Sequence, residues 1–389
     1  LGCIFARRLV KRMGHVRAFS GFISLCAIAA LLTGIFIHPT FWLLSRAATG
    51  FGAAAVAMII ESWLNERATN ESRGMIFSLY ISITLLGIVG GQMAVAFIDI
   101  HTQTLFMVAG IFYCVAMLPT LISTAQAPKP LSEVHLDLTA LYKNSPVSFV
   151  GILLIGIANG AWGTLGAVFG SKAGLSAGDI ALMMTITIFA GAAMQFPAGR
   201  MSDLMDRRYV LAILSGIAFL AGIQMFLLEP MNVVTVLILV GVYGATANAL
   251  YPIAVAHAND FAKPSEFLNV SGGLLLLYGI GTVIGPSIGG PIMQQFGPYA
   301  LFGVTAGAHI LITVHAIIRS RLRAPIPVGE RDVYSSVSSG TQTTPESLAL
   351  SPRSQASQPL QQAQDAGNVT REETSAPAPA EKDAGTAAA

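Results

Sequence analysis

Two ionisable side chains, Arg46 and Glu61, interrupt the otherwise apolar stretch 41–64. Arg46 sits about 9 Å from one end of that stretch at 1.5 Å per residue. A guanidinium there costs at least a few kcal/mol unless it faces a cavity or a partner. That points to substrate or ion handling. The other reading is that the long stem carries its charge out to the polar end. Glu61 lies near the opposite end, ahead of Ser62-Trp63-Leu64-Asn65-Glu66-Arg67. A carboxylate there can carry a coupling proton, and it can equally mark a helix end with Trp63 as anchor. Gln92, Asn159, Trp162, Gln195, Asn248 and His309 interrupt other apolar runs. Together they suit a cavity of mixed polarity without a fixed charge preference, and singly they suit hydrogen bonds between packed helices.

Two further motifs suggest mechanics. Residues 199–208 read Gly199-Arg200-Met201-Ser202-Asp203-Leu204-Met205-Asp206-Arg207-Arg208. Gly199 permits a tight turn, and Asp203 can receive positive charge or cap a helix. Arg207 and Arg208 can hold helix ends together in one conformational state. A latch is the functional reading and simple topology anchoring the other. Residues 281–290 carry Gly281, Gly285 and Gly289 at i, i+4 and i+8, with Pro286 and Gly290 among them. Such a stripe lets a neighbouring backbone approach closely, while Pro286 bends the helix. Gly285-x-Ser287-x-Gly289 also matches the spacing of a hydrolase nucleophile, but that motif needs a strand-to-helix turn and a histidine partner. No phosphate-binding loop or H-E-x-x-H motif occurs, so no nucleotide partner, cofactor or metal is expected and the protein is not read as an enzyme.

These residues need elements that keep charge out of lipid. Of the 389 residues 53% are apolar and only 11% charged, with a mean hydropathy of +0.66. Soluble domains carry about 25% charge, so only a bilayer hides this much apolar surface. A net charge of +2 without a long basic run excludes a nucleic-acid partner. Cys3, Cys26 and Cys114 fall in apolar segments at unrelated spacings and read as small core residues.

Ten apolar runs are each long enough to cross a bilayer as a helix: 17–37, 41–64, 75–98, 104–123, 147–169, 180–198, 209–228, 232–256, 271–293 and 298–318. A stub, 1–5, runs straight into Arg7, Arg8, Lys11 and Arg12, like the end of an interrupted helix. Alternating the loops between two sides puts 17 Lys and Arg on one and only Lys172 on the other. The loop 124–146 and the C-terminus are therefore expected in the cytoplasm. Beyond residue 324 the Ser, Thr, Gln, Pro and Ala composition cannot offset its ordering entropy, and a disordered tail is expected.

Sliding the sequence by 194 positions pairs Asn65-Glu66 with Asn259-Asp260, Gly50 with Gly244, Gly87 with Gly281 and Gly91 with Gly285. The copies are six spans apart and so share orientation, the parallel repeat of two-bundle transporters. Six spans per copy imply twelve, with the first and most of the second belonging before residue 1.

Residues 199–208 resemble the loop signature G-x-x-x-D-R-x-G-R-R/K of the major facilitator superfamily. Arg46-Ala47-Ala48-Thr49-Gly50-Phe51-Gly52 resembles its fourth-helix signature R-x-x-x-G-x-G/A, and Gly281 to Gly290 its G-x-x-x-G-P-x-x-G-G. Lys11 stands where the first loop copy would have Asp, and Gln92 where the first copy of the last motif would have Pro. Glu61 to Arg67 and His257-Ala258-Asn259-Asp260 are most similar to the YcaD-like bacterial branch. The resemblance implies an all-α membrane protein of two parallel-repeat bundles, divided 1–123, 124–146 (loop), 147–320 and 321–389 (tail). It implies a secondary transporter of a small molecule in a bacterial inner membrane, and proton-coupled transport by alternating access is the leading expectation. A non-transporting sensor or scaffold, or a defective fragment, is the alternative. Arg46, Glu61, Gln92, Asn159, Trp162 and Asn248 are the transport candidates. Gly199, Asp203, Arg207 and Arg208 form the expected latch. Gly87, Gly91, Gly281, Gly285, Pro286, Gly289 and Gly290 are the expected hinge and packing residues.

Overall fold

The computed structural model describes residues 9–10, 12–67, 73–99, 101–122, 137–262 and 267–324. The stub and the tail beyond 324 lie outside them. Eleven helices follow one another: α1 His15–Ile35, α2 Pro39–Arg67, α3 Arg73–Phe97, α4 Thr104–Ile122, α5 Leu138–Asn144, α6 Pro146–Lys172, α7 Ala177–Leu204, α8 Arg207–Leu228, α9 Val233–Asp260, α10 Phe267–Phe296 and α11 Ala300–Leu322. All but α5 are long and apolar enough to span a membrane. They coincide with the ten expected spans, extended by up to several residues where polar side chains cap or continue them. Ser145 caps α6, with Pro146 in the first turn. Ser176 and Asp179 form a reciprocal capping box on α7, and Asn232 caps α9 through Val234 N and Thr235 N. The short α5 falls where a plain loop was expected. Asp137 Oδ1 accepts from Ala140 N at 2.9 Å and starts it, and Leu141 buries its apolar face.

The second bundle is formed by α6 to α11, in which α6 packs on α10 and α11, α7 on α9, and α8 on α9 and α11. In the first, α1 packs on α2 and α4. The pairings α1–α2 and α1–α4 repeat α8–α9 and α8–α11, as the shift of 194 requires. Moved forward by 194, α2 would cover 233–261 and α3 would begin at 267, against the observed Val233–Asp260 and Phe267–Phe296. α3 packs chiefly across the halves, on α7, where Thr185 Oγ1 donates to Met93 Sδ at 3.5 Å. Cys26 is buried, but Cys114 is exposed on α4 and is not a core residue.

The glycine stripe of α10 meets one on α6. A Cβ on Gly156 would fall 2.5 Å from the Tyr278 carbonyl oxygen, and one on Gly160 would strike the Thr282 backbone. In return, a Cβ on Gly281 would strike Leu153 O, and one on Gly285 would strike Ile157 O and approach Ala161 N to 2.8 Å. Backbones this close exchange dense van der Waals contact that any side chain would forfeit. Gly87 and Gly91, their repeat partners on α3, have nothing described within 4 Å of such a Cβ.

Candidate functional site

Glu61, in the last turns of α2, has no solvent exposure. The Tyr80 hydroxyl on α3 donates to its Oε1 at 2.9 Å. A carboxylate taken from water onto a helix–helix seam must be charge-compensated or protonated, so its proton occupancy is tied to how α2 meets α3. Arg46 does not join it. Fifteen residues earlier on the same helix, it is exposed and within electrostatic reach of the Tyr113 hydroxyl on α4. At 1.5 Å per residue the two groups are about 22 Å apart along α2.

The polar residues of the second bundle separate into two kinds. Asn159 on α6 donates from Nδ2 to Tyr278 Oη on α10 at 3.5 Å. Asn248 on α9 donates to the Thr187 carbonyl on α7 at 3.2 Å. Both are half-buried, as are Gln92 on α3 and Gln195 on α7. Trp162 instead packs into an aromatic core with Tyr243 and Phe302, at ring-centroid distances of 5.7 and 5.6 Å. His309 is fully buried beside Tyr243 at 5.5 Å, and neither of its nitrogens has a hydrogen-bond partner among the described residues. Trp162 and His309 thus sit in a bundle interior. Among the described residues no group of three His, Cys, Asp or Glu side chains gathers as a metal would require.

Gly199 is buried in the last turns of α7, which continues through it to Leu204, so the tight turn falls after Leu204. Arg207 Nε donates to Asp260 Oδ2 at 2.7 Å, and Nη1 to Ser202 Oγ at 3.0 Å. Asp203 Oδ1 lies 3.8 Å from Nη2. Arg208 pairs with Asp206 Oδ2 at 2.6 Å and donates from Nη1 to the carbonyls of Arg319 and Arg323, at 3.1 and 2.7 Å. The partners named here come from α7, the α7–α8 link, α9, and the end of α11 with the residue after it. All lie within one bundle and bind neighbouring ends of its helices together. Burial works to raise the Asp206 pKa, but the side-chain and backbone hydrogen bonds of Arg208, with the Arg208 and His257 charges, outweigh it. The carboxyl therefore titrates below its ordinary value. A folded-state pKa lowered in this way contributes stability that is complete above the ordinary value and fades as pH falls through the lowered one. Below about pH 4, the unfolding midpoint of the wild type should fall more steeply than that of Asp206→Asn. Parallel curves would remove Asp206 from the acid response.

The sequence profile of the Major Facilitator Superfamily matches residues 1–178 and 145–360. The chain belongs to this superfamily. It is similar to the MFS-type transporter YcaD of Shigella flexneri serotype 5b (strain 8401), at 26% identity over 332 residues, covering 84% of this chain and 85% of the relative. YcaD of Escherichia coli O139:H28 matches with the same identity and coverage. Among solved structures, a mutant of the nucleoside transporter NupG superposes with a TM-score of 0.67 at 14% identity, covering 81% of this chain and 86% of that one. An inward-facing, occupied bacterial homolog of the human lysosomal transporter Spinster gives 0.63 at 16%, covering 85% and 86%.

Within this major facilitator chain, sequence reasoning missed Tyr80, Ser202, Asp206 and Asp260 as working partners. Asp260 had a signal: it pairs by the repeat with Glu66, so an acid closes the C-terminal end of α9 as one closes α2. Tyr80 had none, because a tyrosine in an apolar run looks like any other core aromatic.

Proposed function

We propose that the chain is a secondary active transporter of a small molecule, working by alternating access in a bacterial inner membrane with its C-terminus in the cytoplasm. The superfamily carries the transporter assignment, and the Lys and Arg asymmetry of the loops supports the orientation. Proton coupling rests on Glu61, a buried carboxylate at the α2–α3 seam held by Tyr80. Loading a proton there turns a charged acceptor into a neutral group, and helices that move during transport feel that change directly. Arg46, Gln92, Asn159 and Asn248 are the proposed contributors to the transport path, because each is at least half-exposed or joins two helices. Trp162 contributes by packing.

The test is reconstitution into liposomes loaded with a pH-reporting dye, challenged with a panel of small metabolites. The expected result is compound-dependent proton movement into or out of the lumen. Glu61→Gln should abolish that movement while leaving reconstitution intact. Transport of a compound that ignores both the imposed pH gradient and Glu61→Gln would overturn proton coupling, and no compound-dependent flux across the panel would overturn transport itself.

A further inference from the structure

At the foot of the second bundle, on the face assigned to the cytoplasm, α5, the start of α6, the end of α9 and the end of α11 border a partly open cavity of about 270 Å³. Lys143, Arg208, Arg319 and Arg323 line it, and no acidic residue does among the described residues. Arg208 is neutralised by Asp206 just outside the lining. Arg323 donates to the Asn144 carbonyl at 2.8 Å and stacks 4.0 Å over Phe261, which fixes its position without cancelling its charge. Lys143 and Arg319 make no ion pair with any described residue. The N-terminus of the 27-residue helix α6 opens into the same space at Ser145, Pro146 and Val147, adding the positive end of a helix dipole. His257 forms part of the wall and is only 5% exposed.

We propose that this cavity is a binding site for a phosphate group, presented by an anionic lipid headgroup or as a free phosphate. Three uncompensated cations and a helix N-terminus converge, beside the buried His257 ring, on one partly open cavity. A tetrahedral oxyanion accepts from all of them at once. The site lies at the membrane's inner rim, where basic pockets between helices take up phospholipid headgroups. It is separate from Glu61 and Arg46, which belong to the first bundle, and it stands whether or not proton coupling does.

The test uses the full chain and the double variant Lys143→Gln/Arg319→Gln, which removes the two cations that no described residue needs as ion-pair partners. In detergent, the unfolding midpoint is followed against inorganic phosphate at constant ionic strength. In nanodiscs, it is compared between phosphatidylcholine alone and phosphatidylcholine with phosphatidylglycerol. A free-phosphate site gives a saturable rise with phosphate. The double variant then needs about a hundredfold more, tenfold for each charged hydrogen bond lost. A headgroup site gives a rise with phosphatidylglycerol that the double variant lacks, with no response to phosphate. Lys172→Gln, on the opposite face, should behave as wild type in either case. The proposal is overturned if the wild type responds to neither probe, or if the double variant or Lys172→Gln shows that the response is not local to this cavity.

Discussion

Gly285→Ala should destabilise the second bundle by about 1–3 kcal/mol. At Gly285 the added methyl meets Ile157 O and Ala161 N. Both are backbone atoms within helix α6, so neither can rotate away. The methyl must therefore push α6 and α10 apart. That separation also loosens Gly156, Gly160 and Gly281, whose close contacts depend on the same spacing. Denaturant or thermal unfolding of the 389-residue chain in detergent measures the loss. An unchanged midpoint would show that the close approach of α6 and α10 carries no stability.

Asp260→Ala should cost about 3–5 kcal/mol, because it strands the guanidinium of Arg207 inside the bundle. Arg207 is 1% exposed, and the Asp260 side chain 4%, across 2.7 Å. Asp203, 38% exposed and 3.8 Å away, is too wet and too distant to take over the compensation. Removing both partners, in Arg207→Met/Asp260→Leu, should recover much of the loss, since the desolvation cost disappears with the charges. A double-mutant cycle read by unfolding midpoints decides this. If Asp260→Ala stays within about 0.5 kcal/mol of wild type, the change is no larger than an ordinary surface substitution, and Ser202 with the remaining neighbours suffices.

Much of the architecture was legible because the membrane makes it so. Every span must satisfy its own backbone, so an apolar run of sufficient length is a helix almost by necessity. Repeat spacing then fixed which helices are equivalent, and the observed starts of α9 and α10 fall at the positions given by α2 and α3. The side-chain partners were less legible. Sequence placed Arg207 and Arg208 at a helix junction, but their anchors Asp260, Arg319 and Arg323 lie 53 to 115 positions away. Such pairs depend on packing that no local pattern encodes. Trp162 and His309 read as polar interruptions and proved to face other aromatics, because an apolar ring with one polar edge fits either place.

The grip of Arg208 on the carbonyls of Arg319 and Arg323 also determines how the polypeptide leaves the membrane body. The last carbonyls of a helix ordinarily find only water, and so the final turn frays. Here those of α11 and the residue after it are held by a guanidinium that is itself 2% exposed. Unwinding this end would uncover a buried charge, so thermal fluctuation stops at the clamp. A fusion joined after Ala324 therefore begins from a fixed point at the end of the bundle, and one that cuts back to Arg319 takes away the staple that seals the bundle's foot.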